Sequence, residues 1–178
     1  MSEPFFDGVS SPIKFGGLDS DDPLTYKVYQ PDRIVMDLDP GEGAPWTQVV
    51  AAAKRMRKAL AAVDIDSWPK TTGGRGLHVV APLERGRSWD DVFAMSRAVA
   101  DAIVETEPDL FTTAFAKGER AGKVLIDYKR NYRTSIAVAA YSPRARPEAT
   151  VSMPVKWTQV TARLRPERFT VERLTVDG

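Results

Sequence analysis

The chain of 178 residues is 43% hydrophobic and 28% charged, with a formal net charge of +1, one histidine and no cysteine. That length suits one domain with its own core. The composition excludes a disulfide framework and any thiolate metal site, and bulk charge gives no nucleic-acid signal. Residues 1–31 hold Gly, Pro and Asp with little periodicity and read as a loop-rich lead-in. They lack the basic start and apolar core of a secretory signal, and no apolar run approaches the roughly 18 residues of a membrane span. The expectation is a cytoplasmic protein without a membrane partner.

Arg33 to Asp39 alternates as a strand does: Ile34, Met36 and Leu38 point one way, Val35, Asp37 and Asp39 the other. Pro45 suits a first helical turn, and Trp46, Val49, Val50, Ala53, Met56 and Leu60 follow at helical spacing. Asp66 to Lys70 reads as a weak strand, "TTGGRG" as a loop and "LHVVAPL" as a strand. Ser88 with Asp91 forms a capping-box pattern ahead of a helix whose stripe is Val92, Met95, Val99 and Ile103. Pro108 to Gly122 reads as irregular. "KVLIDYK" reads as a strand with "TSIAVAAYS" as its hairpin neighbour, and a Pro-rich excursion follows. "WTQVTARL" is expected to form a short helix, and "PERFTVERL" closes the chain. The order is βα-ββ-α-ββ with a small α tail. It predicts an α+β domain with a mostly antiparallel sheet and helices packed on it.

Asp37 and Asp39 share one strand face about 6.5–7 Å apart. Asp127 interrupts the apolar run "KVLIDYK", an unfavourable place for a carboxylate. An isolated D-x-D is also compatible with a turn cap beside a solvated carboxylate. If the Asp127 strand lies beside the first, three carboxylates converge and could hold two hard cations such as Mg²⁺ or Mn²⁺, the arrangement of in-line phosphoryl transfer. Gly73, Gly74 and Gly76 in "KTTGGRGLHVV" let backbone N–H groups approach a phosphate, with Thr72 and Arg75 as further donors. The same loop also reads as a plain tight turn before a half-buried His78. From Lys117 to Arg146 basic residues outnumber acidic ones, which marks either a solvated face or a phosphate-facing surface.

Together "MDLDP", "TTGGRGLHVVAPL" and "VLIDYKRN" resemble, in order and spacing, the polymerase domain of bacterial ligase D, in the archaeo-eukaryotic primase superfamily. "AYSPRARPEATVSMPVKW" and "LRPERFTVE" extend the resemblance, which runs from about Asp32 to Glu172. It implies a primase-polymerase, RRM-like catalytic core over residues 32–178. The implied activity is addition of nucleotides, often ribonucleotides, to DNA ends in non-homologous end joining, with DNA ends, nucleoside triphosphates, Ku and a ligase domain as partners. Carried over by position, Asp37, Asp39 and Asp127 would be the catalytic metal ligands. Thr72, where the family usually has serine, and His78 would contact nucleotide phosphates. Arg120, Arg130 and Arg144 match family arginines of the cleft.

The family domain is longer at its N-terminal end. The expectation is therefore a complete metal centre beside an incomplete substrate groove, with exposed apolar surface that favours self-association. "FFDGVSSPIKFGGLDSDDPLTYKVYQPDRIVM" instead resembles the start of a xylose isomerase, a peripheral lead-in in that family. Two other functions stay open: a non-catalytic module that binds DNA ends or nucleotides, and a two-metal phosphodiesterase.

Overall fold

Alternation along Arg33–Pro40 (β1) organises the molecule described by the computed structural model, which covers residues 30–84 and 86–176. The reading of residues 1–29 lies outside the described residues. Ile34, Met36 and Leu38 are at most 1% exposed and belong to the hydrophobic core, while Val35, Asp37 and Asp39 face the other way. The further elements are α1 (Trp46–Ala61), β2 (Trp68–Thr71), β3 (Leu77–Pro82), α2 (Trp89–Thr106), β4 (Phe111–Thr112), β5 (Val124–Asp127) and α3 (Val171–Val176), with short 3₁₀ turns between and after them. The strands form one sheet in the order β2-β3-β1-β5-β4. β1 runs antiparallel to both β3 and β5, β2 antiparallel to β3, and β4 parallel to β5.

Both long helices bury their apolar stripes against the core face of the sheet. α1 does so through Val49, Val50, Ala53, Met56 and Leu60, the expected positions. α2 opens on the capping box: Asp91 N–H donates to Ser88 Oγ, and Ser88 N–H donates back to the Asp91 carboxylate. Its fully buried residues are Val92, Ser96, Ala100 and Ile103, while Met95 and Val99 lie at the margin. Small residues at 96 and 100 let the helix approach its neighbours closely. Among the described residues, no helix is long and apolar enough to cross a membrane.

Three local expectations need correction. Residues 134–142, read as a strand, form neither helix nor strand. The second neighbour of β5 is instead β4, two residues inside the stretch read as irregular. Phe111 explains this, because its wholly buried ring draws that short strand into the core. Of "WTQVTARL", only Trp157–Gln159 is helical, as a single 3₁₀ turn.

β5 is too short to pair with all of β1, and one side chain completes the ladder. The Asn131 amide stands where a strand backbone would be: Val35 N–H donates to its Oδ1 at 2.7 Å, and its Nδ2 donates to Val35 O at 2.9 Å. Reaching that position requires a 3₁₀ turn at Lys129–Asn131 immediately after β5. Edge-to-face contacts of Phe93 with Tyr128 and Tyr132 tie the turn to α2. The free edge of β2 is covered by residues 153–155, with Thr71 N–H donating to Met153 O and Val155 N–H to Pro69 O.

Candidate active site

The registers of β2, β3, β1 and β5 bring Lys70, His78, Asp37 and Asp127 into one transverse row on the face away from the two long helices. Asp37 lies directly opposite both His78 and Asp127. Cross-strand partners of this kind have Cβ atoms about 4.5–5.5 Å apart. All four residues of the row are under 9% exposed. Two residues along β1, Asp39 opposes Leu125 at the more open end of the strand.

The 3₁₀ turn after β5 folds Arg130 back over this row. Its guanidinium contacts Asp37 Oδ2 at 3.0 Å and Asp127 Oδ2 at 3.2 Å, so a positive charge stands between the two carboxylates. Lys129 N–H donates to Asp127 Oδ1 at 2.8 Å. Arg120 Nη1 lies 3.3 Å from Asp39 Oδ2. His78 Nε2 approaches Asp37 Oδ1 at 3.5 Å, and its Nδ1 is buried with no hydrogen-bond partner among the described residues.

These surroundings split the two central carboxyls. Burial pushes Asp37 up, but His78 and Arg130 together outweigh it and hold the group below the ordinary carboxylate range. Burial also pushes Asp127 up, and there the neighbouring cations do not compensate, so it stays above that range. Burial lowers His78, against the pull of Asp37, which favours a neutral imidazole donating from Nε2. Lys70 is lowered to about 8, chiefly by burial.

Asp37 and His78 of the row border, with the glycine loop, a cleft of about 300 Å³, lined among others by Asp39, Thr72, Arg130 and Arg144. Gly74 lies in the same wall, whereas Gly73 lines a neighbouring depression of about 690 Å³ that shares Gly74, Arg75 and Arg146 with the cleft. Gly73 has φ +66, and a Cβ there would meet the Arg144 side chain at 2.5 Å, so glycine is required by both conformation and space. The loop's N–H groups are less available than its glycines suggest. Gly74 N–H donates to Thr72 Oγ1, and Thr72 N–H donates to Gly76 O. The side chains of Arg75, Arg144 and Arg146 add charged donors to this wall.

Of the residues singled out from the sequence, Asp37, Asp39, Thr72, Gly74, His78, Arg130 and Arg144 line one cleft. Asp127 sits beside Asp37 beneath Arg130, and Arg120 reaches Asp39 from outside. Sequence reasoning missed Lys70 as part of the row and Asn131 as the side chain that completes the ladder at Val35. A lysine in a four-residue strand between Pro69 and Thr71 was a usable signal; nothing in the sequence marks Asn131.

The donor chemistry fits a hard divalent cation, since three carboxylates lie on adjacent strands near the end of β1 and no thiolate competes. Among the described residues, no three acidic or imidazole groups stand close enough to hold a metal ion, and each of the three carboxylates pairs with a guanidinium instead.

Gly41 links the end of β1 to the Arg120 turn. A Cβ there would overlap the Arg120 carbonyl oxygen and stand 2.9 Å from Lys123 O. Gly41→Ala is expected to displace the Lys117–Arg120 turn, withdraw Arg120 from Asp39 and destabilise the protein by about 1–3 kcal/mol. Thermal melting tests this, and an unchanged midpoint would contradict it.

The LigD primase-polymerase domain family matches residues 14–177. A multifunctional non-homologous end joining protein LigD of Pseudomonas aeruginosa is 38% identical over 126 residues, covering 71% of this chain and 15% of that protein. Its counterpart in Mycolicibacterium smegmatis is 37% identical over 138 residues, covering 77% of this chain and 18% of that protein. The chain thus spans less than a fifth of either relative. The structure of the polymerase domain from Mycobacterium tuberculosis ligase D, in complex with DNA, superimposes with a TM-score of 0.76 at 33% identity, over 84% of this chain and 53% of that one. The chain belongs to the LigD primase-polymerase domain family.

Proposed function

We propose that this chain is a metal-dependent nucleotidyltransferase that adds nucleotides to DNA ends during non-homologous end joining. The observation that carries the reading is the direct cross-strand pairing of Asp37 with Asp127 in a row bordering a cleft walled by arginines. Asp37, Asp39 and Asp127 would hold Mg²⁺ or Mn²⁺, which would supply Lewis-acid stabilisation of the attacking and departing oxygens. Arg144, Arg146 and Arg75 would bind and orient the triphosphate as charge-assisted donors, with the Thr72 hydroxyl beside them. Neutral His78 would fix the orientation of Asp37 from the side opposite Asp127. Nucleoside triphosphates and DNA ends are the inferred substrates. Ku, a ligase domain and a second copy of this chain are the inferred protein partners, and the cytoplasmic nucleoid the place of action.

Incubating the purified protein with a labelled primer–template, all nucleoside triphosphates and Mn²⁺ or Mg²⁺ is expected to lengthen the primer and release pyrophosphate, and chelation is expected to stop both. Release of nucleoside monophosphates from the DNA would instead assign a phosphodiesterase. DNA binding without either product would assign a binding module.

A further inference from the structure

We propose that Lys70 is a positioning residue of the cleft: its buried ammonium fixes the Ile136–Val138 wall and the Pro-rich excursion carrying Arg144, and so sets the affinity for a nucleoside triphosphate. The choice of ligand rests on the proposed function; the clamp does not.

Lys70 is 6% exposed, at the far end of the row that contains Asp37. Nζ donates to Val138 O and to Ser152 Oγ, both at 2.8 Å. Each acceptor belongs to a different segment of the cleft. Ile136 to Val138 lines it without being part of any helix or strand. That wall therefore depends on donors outside itself, and two cations supply them: Lys70 at Val138 O, and Arg130 Nη1 at Ile136 O, 3.3 Å away.

Ser152 leads to the second segment. Its Oγ donates to Thr71 O at 2.7 Å, and its N–H donates to Ser142 O at 3.0 Å. Two residues before it, Thr150 Oγ1 donates to Gly73 O at 2.6 Å, and Thr150 O accepts from Arg144 N–H at 2.7 Å. One hydrogen-bonded path thus joins Lys70 to the glycine loop and to the backbone of Arg144. A buried ammonium is expensive, and an apolar side chain of the same length would fill the space without that penalty. Only a donor, however, can satisfy the Val138 and Ser152 oxygens together.

The test compares wild type with Lys70→Met and, independently, with Ser152→Ala, which removes one acceptor and leaves the lysine. Amide hydrogen exchange read by mass spectrometry is expected to quicken about tenfold or more over residues 134–142 in Lys70→Met, and less in Ser152→Ala, with α1 and α2 unchanged in both. The dissociation constant for ATP with Mg²⁺ is expected to rise about tenfold in Lys70→Met, the equivalent of about 1.4 kcal/mol. In primer extension the nucleotide KM should rise by a similar factor, with kcat altered less than about threefold. Unchanged exchange over 134–142 overturns the clamp, as does an increase spread evenly over the molecule in both variants. Faster local exchange with unaltered ATP affinity overturns the link to ligand. A wild-type protein that binds no ATP overturns the functional reading, while the exchange comparison still decides the clamp.

Discussion

Asp127→Asn is expected to abolish nucleotide addition and leave the folded protein at least as stable, whereas Asp37→Asn is expected to abolish addition and lower stability. The two carboxyls face each other in register, yet their surroundings act on them in opposite senses. Asp37 is buried, which disfavours its charge, but His78 on one side and Arg130 above reverse the balance. Its folded pKa lies below the unfolded value. The ionised group therefore stabilises the fold above the unfolded value, and that contribution is lost as pH falls through the folded one. Asn in its place keeps an acceptor but loses the charge, an expected cost of about 1–3 kcal/mol. Asp127 is held above the unfolded value, first by burial, with Asp37 contributing. Its charge therefore opposes folding at neutral pH, and Asn removes that opposition while Arg130 keeps Asp37 as its partner.

For catalysis the two substitutions are alike, since each removes a hard oxygen donor from the cation-binding set. A loss of about 4 kcal/mol of transition-state stabilisation corresponds to about 10³ in rate. Primer extension and urea melts at neutral pH and near pH 4 measure both halves. Asp127→Asn retaining addition within about tenfold would refute its catalytic assignment. Equal destabilisation of the two variants would refute the electrostatic account.

Leu38→Ala is expected to destabilise the protein by about 2–5 kcal/mol, the range for truncating a wholly buried leucine. Leu38 sits between Asp37 and Asp39, is 0% exposed, and is flanked in register by Leu77 and Ile126 on the neighbouring strands. Its side chain belongs to the core under both helices, so a cavity there has no route to collapse without moving the central strand. Domains of this size lose about 2–4 °C in Tm per kcal/mol, so a fall of roughly 5–20 °C is expected by calorimetry. A fall below about 3 °C would mean that Leu38 is not the packing centre placed here. The larger consequence is functional: the same strand supplies core on one face and carboxylates on the other.

That two-sidedness was legible from letters alone. A period of two along Arg33 to Asp39 assigns every residue to a face once one face is apolar, and a slip of one residue would bury two aspartates among the helices. The helices were equally legible, because a stripe at 3.6-residue spacing and the Ser88–Asp91 box are local properties. The site's main acidic and basic residues and its glycines could be named for the same reason: a carboxylate in an apolar strand and glycines between strands break local rules. The order of the strands, the parallel β4 and the irregular path of residues 134–142 depended on contacts far apart in sequence. "TSIAVAAYS" has the composition of a strand, but Asn131 already satisfies Val35 beyond the end of β5, and among the described residues only Tyr141 and Ser142 at its end make backbone bonds to another segment, at Ser152. The sequence by itself determined which side chains carry charge into the sheet and which face buries them. Tertiary structure alone decided that Lys70, His78, Asp37 and Asp127 stand in one row, because register across four strands is a property of pairing and not of any single strand.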